Sequence, residues 1–517
     1  MEKEHTLDWL IDLVENAKSI NTEEVKKNAV ASVPTSLVES LMHNVASTKP
    51  SKELKLLGKG VPASPGAATG VVCFSSDSVL DATDEGEKVI LVCNETSPAD
   101  EIGMRMAEGI ITVRGGMASH AAVVARGWGI PAVVGVSEME ISETEIKIGE
   151  NKVEEGAHIS LDGSTGELFS GEMELQESSE EISELKVILD WADEIRSGHI
   201  KVRANSDTGK DTERALSFGA EGIGLCRTEH MFMGDRLPLI QRFILSGDES
   251  EEEKESLNEL MAAQRSDLSE VISAMAPNPV TVRLLDAPLH EFLGEEMQDE
   301  WLEHNPMLGT RGVRLAILRE QLYRMQTRAL IGALSDVKEM GKKPNADIMI
   351  PLVSEVRELN LVRSWIEEEI ASMEDELRPS IGTMIETPRA AITAEEVAKS
   401  ADFFSFGTND LTQLVFGFSR DDIESRVIGM YINEGILSAN PFEKIDFQGV
   451  GHVIKHAIDE GRKINPELEI GVCGEHGGDP ESIQFFFEAG VDYVSCSPFR
   501  VPVARLAAAQ AVLSSFK

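Results

Sequence analysis

The stretch Ile381-Gly382-Thr383-Met384-Ile385-Glu386-Thr387-Pro388-Arg389-Ala390 reads as a short apolar strand that stops on a carboxylate. The next such run, Phe403-Phe404-Ser405-Phe406, gives way to Gly407-Thr408-Asn409-Asp410-Leu411-Thr412-Gln413 and again places a carboxylate just past a strand. Working outward, strand candidates recur at 201–204, 222–226, 280–285, 348–353 and 470–473, with helical stretches between them. A weaker candidate lies at 307–314 and a further strand-like piece at 491–495. Eight strand–helix units predict a (β/α)8 barrel over 200–517, with the register left open by the extra piece.

The C-terminal ends of barrel strands and the loops beyond them build the active site. Counting 307–314 as the fourth strand, Arg227 and Glu229 follow the second, and Arg283 and Asp286 close the third. Arg311 lies in the fourth block, Glu386 ends the sixth, Asp410 follows the seventh, and Cys473 with Glu475 and His476 ends the eighth. Glu386 and Asp410, from neighbouring strand ends, are placed to converge on one hard cation. Two carboxylates completed by substrate oxygens and water is a normal Mg²⁺ arrangement. Arg227, Arg283, Arg311 and Arg420 form a clamp for carboxylate and phosphate, because planar bidentate donors suit both groups.

Toward the N-terminus, residues 57–170 predict a compact α/β domain, with strands at 71–74, 89–92, 109–113, 132–134 and 158–163. It contains Gly115-Gly116-Met117-Ala118-Ser119-His120-Ala121-Ala122-Val123-Val124-Ala125-Arg126-Gly127. A lone histidine in such a place usually caps a buried helix. Here it follows a Gly-Gly turn and opens a helix whose free amides would face an anion. Arg126 is a candidate for holding phosphate oxygens.

The remaining sequence bounds the answer. Residues 1–56 show helical periodicity and no chemistry, and 171–199 read as an acidic linker with a helix. The 517 residues carry a formal net charge of -42, which argues against nucleic-acid binding as the main role. The acidic excess is partly concentrated at 172–184 and 248–255, where solvated faces are sufficient explanation. No run of 18 apolar residues suggests a membrane helix, and the charged start does not resemble a signal peptide, so a cytoplasmic protein is expected. Five scattered cysteines form no CxxC pair and suggest neither zinc nor disulfides.

The block from Gly115 to Gly135 resembles the phosphohistidine segment of the phosphoenolpyruvate-utilizing enzymes, and most closely that of the pyruvate phosphate dikinase family. Cys226-Arg227-Thr228-Glu229-His230-Met231-Phe232, Arg283-Leu284-Leu285-Asp286-Ala287-Pro288-Leu289-His290-Glu291-Phe292 and Cys473-Gly474-Glu475-His476-Gly477-Gly478 carry the same likeness. It covers about 57–517. The resemblance implies a swivelling phosphohistidine domain followed by a barrel that binds phosphoenolpyruvate and pyruvate. It implies His120 as the phosphorylated intermediate and Cys473 as the proton donor to enolpyruvate. It also implies Glu386 and Asp410 as Mg²⁺ ligands, Arg227, Arg283, Gly407, Thr408 and Asn409 as substrate contacts, and Arg311 and Arg420 as phosphate-binding arginines.

Three departures shape the functional expectation. A full dikinase carries an N-terminal ATP-grasp domain, and the residues before 57 hold no such pattern. Enzyme I of the sugar phosphotransferase system has a helical carrier-binding insertion for which 57–170 has no room. Ala118 stands where the family usually has a threonine that a regulatory kinase modifies. Ala287 for the usual proline, and a shortened loop between Phe292 and Asn305, look tolerable. The leading expectation is the C-terminal half of a split dikinase, a homodimer served by a separate ATP-grasp protein. An Enzyme I-like transferase acting on a phosphocarrier, and a non-catalytic regulatory subunit, are the alternatives.

Overall fold

The computed structural model describes residues 6–42, 45–46, 54–96, 100–116, 119–142, 144–176, 182–246, 250–293 and 303–516. They form two compact units, one of residues 1–191 with 419–440 and one of 192–418 with 441–517. No helix among the described residues is long and apolar enough to cross a membrane.

The first unit begins with helices Leu7–Ile20, Glu23–Ser32 and Thr35–Leu41. Thr6 and Thr22 start the first two by accepting the amides of Trp9 and Val25. Next comes an eight-stranded mixed sheet. Its centre is four parallel strands, Ala67–Cys73, Val89–Cys93, Gly109–Thr112 and Ala132–Val134. Antiparallel strands flank them, with His158–Asp162, Glu167–Ser170 and Leu56–Lys59 on one side and Val61–Ser64 on the other.

Alternation sorts the side chains of these strands to two faces. Val72, Ile90, Val92, Ile111 and Val133 pack under Met139, Ile146, Ile148 and Val153. Those four come from a small antiparallel sheet of Met139–Ile141, Glu145–Ile148 and Asn151–Glu154, absent from the sequence reading. Val71, Val89, Leu91, Ile110 and Ala132 face the other way, onto Val79, Met104, Ala121, Ala122 and Ala125 of the helices.

The second unit is a closed barrel of eight parallel strands, as the sequence predicts. They are Lys201–Asn205, Ile223–Arg227, Val280–Arg283, Ala346–Ile350, Ile381–Ile385, Phe403–Phe406, Glu469–Val472 and Tyr493–Cys496. One part of the reading is corrected. Residues 307–314 hold no strand but a 3-10 turn at Pro306–Leu308 and the start of helix Gly312–Leu318. Gly312 has φ 55, and a Cβ there would lie 2.8 Å from both Asp286 Oδ1 and Leu352 Cβ, so this backbone turns where a strand would run straight. The eighth strand is the piece near 491–495. Glu386 therefore ends the fifth strand, Asp410 follows the sixth, and Cys473 follows the seventh.

Candidate active site

In the first unit His120 is the first residue of helix His120–Trp128. Ser119 precedes it in extended conformation and does not cap the helix, because its hydroxyl donates to the Gly116 carbonyl at 2.8 Å. Ser119 thus gives the helix start no side-chain cap, and a helix start of this kind favours an anion. His120 is half-buried, and its Nδ1 lies 2.9 Å from Thr96 Oγ1. Arg126 sits in the last turn, about 9 Å along the helix axis from His120. Its Nη1 donates to the Ala63 carbonyl at 3.0 Å. Met117 and Ala118 lie outside the described residues.

The barrel mouth gathers most of the other expected residues. Arg227 ends the second strand, and Asp207 anchors it, accepting its backbone N–H at 2.7 Å and its Nε at 3.2 Å. The buried Asp207 also meets His230 Nδ1 at 2.8 Å. Burial pushes the Asp207 carboxyl up, but Arg227 and His230 outweigh it and hold the group well below the usual range. Arg283 ends the third strand, pairs with Glu229, and lies 3.3 Å from Asp286. Arg283 Nε and Glu229 Oε2 are buried and make no hydrogen bond. Buried polar atoms of this kind call for a ligand or an ordered water.

Arg311 is forked across two acids. It donates to Asp286 at 2.9 and 2.7 Å and to Asp410 at 3.4 and 3.2 Å. Glu386 is buried, and one oxygen accepts the Leu352 N–H at 2.6 Å. Leu352 has φ 58, a left-handed conformation costly for leucine, so the backbone is held in strain at the point where it aims a donor at Glu386. Carboxylate oxygens of Asp286, Glu386 and Asp410 all lie within 4.8 Å of one another. Burial pushes the Glu386 carboxyl well up, and the charges of Asp286 and Asp410 add to it beyond what Arg283 and Arg311 remove. A hard divalent cation relieves that excess of negative charge, so the donor set fits Mg²⁺.

Gly407 packs directly on this cluster, since a Cβ would stand 2.7 Å from Glu386 Oε2. Helix Thr408–Phe416 starts there, and the amides of its first turn have no carbonyl four residues back inside the helix. The Thr408 hydroxyl lies 2.7 Å from His476 Nδ1, whose Nε2 is 2.8 Å from the Pro441 carbonyl. A carbonyl only accepts, so Nε2 carries a proton toward Pro441. Asn409 Oδ1 takes the Glu475 N–H at 3.2 Å.

Cys473 is buried and its thiol points to the Phe406 carbonyl at 3.7 Å. Burial lifts the thiol to about 11, so it holds its proton at neutral pH. Arg420 begins a short helix in the 419–440 segment of the first unit and donates to Glu424 at 2.9 Å.

Sequence reading missed several of these roles. Asp286 stood among the strand-end polar residues but not in the metal pair, and Thr96, Asp207 and Leu352 were not singled out. Only for Asp207, just past the first strand, did position alone offer a signal.

A closed parallel barrel whose mouth joins arginines to a carboxylate triad, on the same chain as a histidine at a helix N-terminus, defines a phosphate-handling α/β protein. The chain belongs to the PEP-utilising enzyme family. Residues 179–513 match its PEP-binding domain and 85–166 its mobile domain. Among curated relatives, it is 46% identical to a pyruvate, phosphate dikinase of Clostridium symbiosum, over 98% of this chain and 60% of the relative. It is 46% identical to the chloroplastic pyruvate, phosphate dikinase 1 of Arabidopsis thaliana, over 95% of this chain and 53% of the relative. Identity is also 46% with a dikinase of Rhizobium meliloti (strain 1021), covering 95% and 57%. The chain thus spans between half and three-fifths of the length of these relatives.

Proposed function

We propose that this chain interconverts phosphoenolpyruvate and pyruvate through a phosphohistidine at His120, as the C-terminal half of a split dikinase. The observation that carries this reading is the convergence of Asp286, Glu386 and Asp410 beneath Arg311 on a barrel mouth that also holds Cys473. Glu386 and Asp410 would hold Mg²⁺, with Asp286 beside them, and the ion would neutralise phosphoryl charge. Arg227 and Arg283 would take the substrate carboxylate and phosphate, with the 408–410 amides closing on the anion. In the pyruvate-forming direction the phosphorus–oxygen bond breaks, His120 forms the new phosphorus–nitrogen bond, and the Cys473 proton passes to C3 of the enolate. The four-part division at 56, 170 and 199 belongs to the same reading, with the histidine domain swivelling between barrel and partner.

The test is incubation with labelled phosphoenolpyruvate and Mg²⁺. The chain alone should be labelled and release pyruvate, but should not form phosphoenolpyruvate from ATP, phosphate and pyruvate. Adding a separate ATP-grasp protein should restore that reaction. Full dikinase activity by the isolated chain would overturn the split-enzyme reading. Efficient transfer of the label to a small phosphocarrier would favour an Enzyme I-like role.

Thr96 has a positioning part here. For Nε2 to act as nucleophile, Nδ1 must carry the ring proton, and Thr96 Oγ1 is the acceptor beside it. The ring gains positive charge during transfer, so the bond strengthens. Thr96→Val should slow single-turnover labelling by about 10- to 100-fold, the value of a charge-assisted hydrogen bond. Thr96→Ser should retain most of the rate.

A further inference from the structure

Helix Glu320–Glu339 buries an apolar face that includes Leu322, Met325, Leu330 and Leu334. Tyr323 and Gln326 are buried as deeply, yet both carry polar atoms. Burying an amide or a phenol costs free energy unless its polar atoms are used. Three residues apart on one helix, the two side chains are neighbours, and both reach Leu285. The strand ladder ends at Leu284, whose N–H donates to the Met349 carbonyl at 3.0 Å. One residue on, the Leu285 N–H donates to Gln326 Oε1 at 2.9 Å, and the Tyr323 hydroxyl donates to the Leu285 carbonyl at 2.8 Å.

A backbone N–H only donates, so the amide oxygen of Gln326 must face Leu285 and its Nε2 is left for another acceptor. Nε2 donates to Thr228 Oγ1 at 2.9 Å. One amide therefore joins Thr228, the residue after Arg227, to Leu285, two residues after Arg283. Arg227 and Arg283 are register partners on neighbouring strands. The same two strand ends are also joined by the Arg283–Glu229 pair, but a substrate anion that draws on Arg283 competes with Glu229. The Gln326 link uses no arginine and is untouched by that competition. Tyr323 holds the peptide that leads from Leu285 into Asp286. Burial and the Asp286 charge push the Tyr323 phenol well above its ordinary value, so it stays a donor.

We propose that Gln326 and Tyr323 are positioning residues of the barrel mouth: Gln326 sets the spacing of Arg227 and Arg283, and Tyr323 sets the aim of Asp286 at the carboxylate cluster. The proposal rests on the reading of those arginines as phosphoenolpyruvate ligands and of that cluster as the Mg²⁺ site. Arginine forks reward close placement, because both N–H bonds must line up with one anion. A shift of about 1 Å in groups that orient a substrate costs up to about a hundredfold in rate. Groups that hold a metal-side carboxylate change metal affinity by about 10- to 100-fold. The two side chains should therefore fail in different ways, Gln326 toward the substrate and Tyr323 toward the cation.

The experiment is single-turnover labelling from phosphoenolpyruvate, read as rate and as final amplitude over a range of phosphoenolpyruvate and Mg²⁺ concentrations. Gln326→Met keeps the length of the side chain and loses both bonds. Its labelling rate should fall about 10- to 100-fold, with half-saturation by phosphoenolpyruvate raised and that by Mg²⁺ little changed. Tyr323→Phe should show the reverse, with half-saturation by Mg²⁺ about tenfold higher and that by phosphoenolpyruvate little changed. Thr228→Val cuts the Gln326 link from its other end at constant size, and serves equally where Gln326→Met does not fold. It should slow labelling, Thr228→Ser should retain most of the rate, and adding Thr228→Val to Gln326→Met should cost little more. Final amplitudes should match the wild type, since slowed transfer still runs to the same end point. Reduced amplitude at an unchanged rate would show a purely structural role and overturn the proposal. So would wild-type rates and half-saturations in the variants, or additive losses from Thr228→Val and Gln326→Met. Those results would leave the functional reading standing. A wild type that takes no label from phosphoenolpyruvate would overturn that reading, and the positioning role with it.

Discussion

His120→Gln protein is expected to acquire no label from phosphoenolpyruvate and to release no pyruvate, a loss of at least about 10⁴-fold in single-turnover rate. The substitution keeps the size of the side chain and a polar tip, but removes the nitrogen lone pair that would bond to phosphorus. The helix start and the Ser119 to Gly116 hydrogen bond do not involve the ring, so the local fold should persist. Phosphoenolpyruvate should still bind the barrel, because its proposed ligands lie in the other compact unit. Binding retained with labelling lost isolates the chemistry of one nitrogen. Labelling that survived in His120→Gln would place the phosphoryl group elsewhere and sink the assignment. Loss of binding as well would show that the substitution had disturbed more than the nucleophile.

The barrel was legible because its strands are short apolar runs punctuated by polar strand ends, and local pattern carries that signal. The miscount at 307–314 has a local cause. Met307, Leu308 and Val313 supply strand-like hydrophobicity, but Gly309 and Gly312 interrupt it, and Gly312 adopts a conformation that no strand uses. The small sheet at 139–154 went unread although Glu145-Ile146-Lys147-Ile148 alternates cleanly. Strands of three and four residues fall below the length at which alternation separates from chance.

At the site, residue types and strand ends pointed to Glu386, Asp410, Arg227, Arg283, Arg311 and Cys473, and the fold brings these to one barrel mouth. The partners that set their behaviour were not legible. Asp286 is 100 residues before Glu386, and the Leu352 amide that holds Glu386 is a backbone group with no sequence signature. Thr96 reaches His120 across 24 residues, from the far side of a strand and a helix. Such pairs are chosen by tertiary packing, and a single sequence does not display them.

Glu386→Gln and Asp410→Asn should each stop phosphoryl transfer by at least about a thousandfold, and chelation of Mg²⁺ should do the same to the wild type. The physical reason is the balance of charge at the mouth. Three carboxylates share a space less than 5 Å across, and Arg311 is already divided between two of them. Removing one carboxylate should cost the cation a ligand, yet should ease the fold, since Glu386 is buried among like charges. A buried carboxyl whose affinity for protons is raised by folding binds more protons in the native state than in the unfolded chain. Stability then falls as pH rises from the ordinary carboxylate range toward the raised native value. Metal-free wild type should therefore lose thermal stability over that interval, and Glu386→Gln should lose less. Saturating Mg²⁺ should raise the wild-type midpoint more at the upper end of the interval than at the lower, because the cation competes with the proton for the same oxygens. Thermal scans with and without Mg²⁺ at several pH values measure this directly. A Mg²⁺ shift of equal size in wild type and Glu386→Gln would mean that the cation binds elsewhere, and the carboxylate triad would lose its proposed role.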